Sequence, residues 1–381
     1  LGPDAIALTI KNILTKQTLS IRSQRSSFPA RLQANGRKSG IARLLAARKR
    51  GHQPEFSGAV EEESKKMVSL NVTALQDGLP FGARIKGVTR EALGDEAIRR
   101  QIKDVFEDRG VIVFEEVEQT SKMQVMLSEA IGPLKDHPVK MVPRVDQDTM
   151  PGVITISADL NESIVEIDGK PLITWQPWHF DHTYNDELNL AGLLRAETIA
   201  PEGGMTAFAD GIDIYNRMSP EIRAKAEGLN ILYTLDMRYA IQKCGLPKNF
   251  REIQPKNDAI LEYAKKFPRA IHPAVWTRKT GEKVMHMTPY GAKGIEGREN
   301  PEGDALFAEI WAEVEKSIRP YYHSWKITDM VLWDNSRVLH EACGCDPKYA
   351  RVMHRTTIKG DYGLGRWETA PKTMEAAPSM A

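Results

Sequence analysis

Between residues 153 and 358 the sequence keeps returning to short apolar runs rich in β-branched residues, each closed by turn residues. They occupy 153–157, 163–167, 172–175, 190–199, 229–235, 270–276, 331–333 and 351–358. Many short strands at such intervals predict a sandwich or barrel rather than a doubly wound sheet. Asp168-Gly169, between two of the runs, predicts a tight hairpin. Neither a G-x-G-x-x-G after a strand nor a P-loop occurs. Helical apolar spacing covers 90–108, through Leu93, Ile98, Ile102, Val105 and Phe106, and ends at Gly110. Val111 to Phe114 then reads as a buried strand. Further helices are expected at 120–131, 211–227, 257–267 and 302–318. The predicted class is mainly β with flanking helices.

The net charge of +1 gives no case for a nucleic-acid partner. No run of 18 apolar residues occurs, so no membrane span is expected. Cys244, Cys343 and Cys345 are too few for a disulfide framework and point weakly to a reducing compartment, so a cytoplasmic location is expected. The charge is unevenly placed. Residues 1–54 hold eleven Lys or Arg against the single acid Asp4, and are rich in Ser. Such an opening resembles an organelle transit peptide. A solvated arm, or sequence upstream of a start at Met67, is the preferred reading; Leu1 is no natural initiator, so a processed, trimmed or mis-started chain is expected. The expected organisation is an arm at 1–66, one domain at 67–368 and a loose tail at 369–381. A homo-oligomer is compatible with the sequence.

The most informative segment is Trp178-His179-Phe180-Asp181. In an extended chain His179 and Asp181 point to one side. With a second histidine from another strand they would form a two-histidine, one-carboxylate face, which leaves open positions and suits ferrous oxygen chemistry. The pair alone is weak, since such neighbours are more often joined by a structural hydrogen bond. A second segment runs Leu332-Trp333-Asp334-Asn335 to His340, followed by Arg351 and Arg355. A guanidinium on a buried strand needs an anionic partner. That partner is either a protein acid or the carboxylate of a bound small molecule held by a bidentate fork.

These motifs occur in an order and spacing that resemble the taurine dioxygenase family, which includes herbicide-degrading aryloxyalkanoate dioxygenases. The resemblance covers about residues 70 to 360. It takes in Trp178 to Asp181, Ala200 to Thr206, Ile271-His272-Pro273, Leu332 to Asn335 with His340, and Arg351 to Arg355. Thr206 lies 27 residues after His179, and Arg351 lies 11 after His340. The resemblance implies a double-stranded β-helix (jelly-roll) core. It implies Fe(II) bound by His179, Asp181 and His340, with 2-oxoglutarate and O2 as cosubstrates and succinate and CO2 released. The far carboxylate of 2-oxoglutarate would meet Arg351 and Thr206. Asp181 itself argues for oxygenation, because halogenating relatives replace this carboxylate with a small residue.

For the substrate, Arg355 and His137 match positions where the family holds an anionic group, which implies a carboxylate or sulfonate. The taurine enzyme has an asparagine where this chain has Trp175, which argues against taurine. Trp175 and Tyr184 are then expected as aromatic pocket walls. Packing the core is the plainer role for both, as a structural one is for His182, His272, His286 and His354. The insertion at 159–172 is expected as a lid or a surface hairpin. The alternative activity is desaturation or ring formation on a natural-product intermediate by the same cofactors. A zinc hydrolase would share the ligand types but leave Thr206 and Arg351 without a task.

Overall fold

The structure, a computed structural model, describes residues 69–136, 142–146, 150–158, 163–255, 264–265, 267–360 and 362–369. The basic arm, His137, residues 159–162 of the insertion, most of the helix expected at 257–267 and the tail from 370 lie outside the described residues.

Among the described residues eight strands form one sheet, in the order Val72–Ala74, Ala83–Lys86, Val111–Glu115, Met330–Asp334, Ala191–Thr198, Val352–Ile358, Met150–Ser157 and Arg144–Asp146. Six form a second, in the order Arg251–Gln254, Ile164–Ile167, Lys170–His179, Val338–Cys345, Thr206–Asp210 and Tyr321–His323. The chain crosses between the sheets through short turns, and all but one of the pairings in them are antiparallel. This is the jelly-roll arrangement expected from the short runs.

Strict alternation explains why several strands are buried at every position. Val111 and Val113, Leu194, Val331 and Trp333 project between the sheets, where they meet Phe208, Tyr321 and Val338 of the six-stranded sheet. Ile112 and Phe114, Leu193, Met330 and Leu332 project the other way, under the helices Glu96–Arg109 and Ser121–Glu129. A strand covered on both faces loses the polar half of its pattern. Each such Ile, Leu or Phe contributes roughly 1.5–3 kcal/mol by leaving water. A four-stranded sheet and the helix Pro301–Ser317 cover the outer side of the six-stranded sheet around Phe180, Ala209 and Leu339.

The helix expected at 90–108 is two helices. Arg90–Gly94 stops where Asp95 turns extended and caps Glu96–Arg109, accepting a hydrogen bond from the Ala97 amide. The stretch 211–227 divides in the same way, at Ser219 before Pro220. The Asp168-Gly169 hairpin is present. Both residues are left-handed, with φ of 51° and 77°, and Ile167 pairs with Lys170 across them. Among the described residues no helix is long and apolar enough to cross a membrane.

Candidate metal centre

The two histidines come from neighbouring strands. His179 ends Lys170–His179, His340 lies in Val338–Cys345, and the two are direct cross-strand partners. Partners in an antiparallel ladder project to the same face, and the imidazole centroids lie 4.1 Å apart. Asp181 follows two residues beyond the strand end, where no ladder holds it. Asn335 does so instead. Its Oδ1 accepts from the Asp181 amide at 2.8 Å and its Nδ2 donates to the Asp181 carbonyl at 3.0 Å. The side-chain amide thus takes the place of a missing strand. Asn335 is fixed in turn by its tight turn. The Asp334 carboxylate accepts from the Ser336 amide and hydroxyl, and Arg337 grips Asp210 through two bonds of 2.8 and 2.9 Å.

Ligand atoms of His179, Asp181 and His340 lie within 4.8 Å of one another, and all three residues are buried. The His179 Nδ1 stands 2.7 Å from the Pro177 carbonyl, which only accepts, so that nitrogen carries the hydrogen and Nε2 keeps its lone pair. Nε2 of His179 lies 3.9 Å from Asp181 Oδ1, and Nε2 of His340 lies 3.4 Å from Oδ2. Neighbouring ligands about 2.1 Å from one ion lie about 3.0 Å apart, so the set closes around a divalent cation with small shifts. Burial, with the neighbouring His340, pushes His179 down to about 3. Burial alone would raise Asp181, but the Arg355 guanidinium and His340 hold it well below the usual carboxylate range. A neutral imidazole and an ionised carboxylate are the forms a metal takes.

Glu202-Gly203-Gly204 forms the turn that starts the Thr206 strand. Gly204 is left-handed at φ 67°, and a Cβ there would lie 3.1 Å from the Arg351 side chain. Its carbonyl accepts from Arg351 Nε at 3.2 Å. Arg351 is 6% exposed, and burial lowers its pKa. It is therefore a buried cation on the Thr206 side of the barrel with no carboxylate partner among the described residues.

Arg355 lies elsewhere. Its Nη2 is 2.7 Å from Asp181 Oδ2 and its Nη1 3.1 Å from Oδ1. The shorter contact is an ion pair without hydrogen-bond alignment, and Nε and Nη2 are buried with no acceptor.

Trp175 does not share the histidines' face. His340 pairs with His179 but Ala342 with Gln176, so the first strand carries one extra residue there. Trp175 consequently pairs with Cys343, on the opposite face, and donates its indole N–H to Glu341 at 3.2 Å. The bulge reverses the face expected from even spacing, and Trp175 packs in a cluster with Tyr290. Its ring packs 5.5 Å from those of Tyr239 and Phe250. Tyr184 is buried with Leu235 and Ala264. The ring edge-on to His179, at 5.6 Å, is Tyr290, which no local pattern marks. His272 is structural, bonding Tyr362 and the Asn185 carbonyl. His354 faces the helices through Arg195. His286 stacks on Phe180.

Residues 71–357 match the family described as taurine catabolism dioxygenase TauD, TfdA family. The chain belongs to that family. As a TauD/TfdA-family protein it is a 2-oxoglutarate-dependent dioxygenase, with 2-oxoglutarate and O2 as cosubstrates. The 2,4-dichlorophenoxyacetate dioxygenase of Cupriavidus pinatubonensis is 25% identical over 288 residues, 74% of this chain and 95% of the relative. The (S)-phenoxypropionate/alpha-ketoglutarate-dioxygenase of Sphingobium herbicidovorans is 26% identical over 282 residues, 74% and 92% of the two chains. A taurine dioxygenase structure from Burkholderia xenovorans superimposes with a TM-score of 0.56 at 24% identity, covering 77% of this chain and 92% of its own. That likeness is one of fold.

Proposed function

We propose that His179, Asp181 and His340 hold Fe(II), that Arg351 and Thr206 hold the far carboxylate of 2-oxoglutarate, and that the enzyme hydroxylates a small organic acid. The reading is carried by one juxtaposition: three buried ligand atoms within 4.8 Å of one another, in a barrel that also buries a guanidinium with no carboxylate partner among the described residues. Bound at the triad, ferrous iron supplies the activation of O2. The chain's own residues do the rest. The cross-strand pairing of His179 with His340 fixes two donors at one angle, and Asn335 fixes the third. Arg351 offers a carboxylate its buried charge, in surroundings where a charge-assisted pair is strong.

An acidic substrate is supported by Arg355, a buried cation beside the triad whose Nε has no acceptor among the described residues. It is supported too by the carboxylates in the names of the two relatives. The test is substrate-dependent succinate release across matched carboxylates, sulfonates and neutral analogues, with product masses. Acids are expected to turn over and gain one oxygen. Equal turnover of neutral analogues would remove the anion, and a loss of two hydrogens would make the enzyme a desaturase. Asp181→Ala is expected to abolish 2-oxoglutarate consumption, and undiminished consumption would remove the metal assignment.

A further inference from the structure

Thr206 does not stand alone on its strand. The indole Nε1 of Trp325 donates to its Oγ1 at 3.1 Å, and both residues are buried. We propose that Trp325 is a positioning residue for 2-oxoglutarate: by occupying one lone pair of the Thr206 hydroxyl, it turns the O–H towards the cosubstrate's far carboxylate. The inference rests on the reading of Thr206 as a cosubstrate contact.

An indole N–H only donates, so the direction of this bond is not in question. A threonine hydroxyl near an anion can offer either a lone pair, which repels, or its hydrogen, which attracts. Once Trp325 holds one lone pair, the hydrogen is excluded from that side and points away from the indole. Among the described residues no other hydrogen bond reaches this hydroxyl, so its proton is committed to nothing in the protein.

Trp325 is itself held. Its ring meets that of His323 edge-on at 4.6 Å and 88°, and His323 is the cross-strand partner of Thr206. His323 Nδ1 bonds the Tyr321 hydroxyl at 3.1 Å, which accepts from Arg84 at 3.0 Å, and Arg84 is paired with Glu115 at 2.6 Å. The Gly204 carbonyl that holds Arg351 lies two residues before Thr206, so one stretch of chain orients both the guanidinium and the hydroxyl. An acceptor for a buried indole is not a matter of course in this core: the Nε1 of Trp333 is buried without one.

The test is a double-mutant cycle read as 2-oxoglutarate binding to the Mn(II)-loaded full chain by anaerobic calorimetry, with kcat and the KM for 2-oxoglutarate alongside. Trp325→Phe is expected to weaken binding roughly three- to tenfold, the range for one neutral hydrogen bond, and to raise KM with kcat within about twofold. In a Thr206→Val background the same change is expected to cost less than about twofold. Replacing Trp325 with 3-benzothienylalanine, which keeps the shape and removes only the N–H, should reproduce the Phe result if the smaller ring disturbs folding. If Thr206→Val weakens binding and neither replacement at 325 does, the proposal fails while the reading of Thr206 stands. Equal losses in both backgrounds would mark Trp325 as mere packing and overturn it. If Thr206→Val itself leaves binding unchanged, the reading of Thr206 falls and takes the proposal with it.

Discussion

Asp181 and Arg355 are joined in a buried ion pair, with oxygen–nitrogen distances of 2.7 and 3.1 Å, on the carboxylate that also faces His179 and His340. Arg355 lies 5.5 Å from the centre of the Trp333 ring. The carboxylate is thus shared between a fixed cation and whatever the histidines bind, and the two compete. Removing the guanidinium leaves a buried carboxylate unpaired until a metal arrives, and breaking such a pair costs about 3 kcal/mol or more. Arg355→Gln is therefore expected to lower the stability of the metal-free protein by about that much. Added Mn(II) should then raise the melting temperature further in the variant than in the parent. Thermal unfolding with and without Mn(II) measures it, and equal metal-induced shifts would show that Arg355 and the metal do not compete.

Asn335 offers a second test of how the triad is assembled. Its Nδ2 is the donor to the Asp181 carbonyl, and Asn335→Asp replaces that donor with an acceptor while keeping the shape. Residues that orient metal ligands typically change affinity 10–100-fold when mutated. Mn(II) affinity is expected to fall by at least about tenfold, with the circular dichroism spectrum unchanged. Metal content after dialysis and a titration of Mn(II) decide it, and retention of parental affinity would show that Asp181 needs no such support.

The strands and the histidine–aspartate pair were legible because both obey a period. Runs such as that at 331–333 alternate between two covered faces, and His179 and Asp181 belong to a motif with its own spacing. What escaped were features set by contacts between distant segments. The bulge between Gln176 and His179 reverses the face of Trp175, yet no residue there announces it; the partner strand defines it. Asp95 and Ser219 break helices that apolar spacing alone would continue, although each is a recognisable cap. Asn335 was visible in its motif without a role, since its partner is 154 residues away. Trp325 gave no signal at all, because its acceptor lies 119 residues earlier.

The buried histidines make stability depend on pH. Burial, with the neighbouring His272, pushes His286 down to about 3 against the opposing effect of backbone hydrogen bonds at His286 and Asn335. The folded state therefore binds a proton less readily than the unfolded chain. The contribution is fully present above the ordinary histidine value and is lost as pH falls from there towards about 3. The slope is about 1.4 kcal/mol per pH unit. His286→Phe is expected to remove this slope whatever its effect at neutral pH. Urea unfolding at about pH 6 and about pH 4 gives the difference, and an unchanged slope would show that His286 is already charged in the folded protein.

Trp175 separates the two faces of the six-stranded sheet. Its indole donates to Glu341 and packs against Tyr239 and Phe250, in a cluster whose Tyr290 stands edge-on to His179. Burial raises the Glu341 carboxyl to about 7 against the opposing effect of that indole N–H. Trp175→Phe removes the donor and part of the packing, a loss of about 1–2 kcal/mol. It changes none of the three ligands, since the bulge keeps residue 175 on the Cys343 side of the ladder. Unfolding midpoints should therefore fall while kcat/KM for the acid substrate stays within about twofold. A change in substrate preference at parental stability would instead put Trp175 in the pocket, and would require the strand to lose its extra residue when substrate binds.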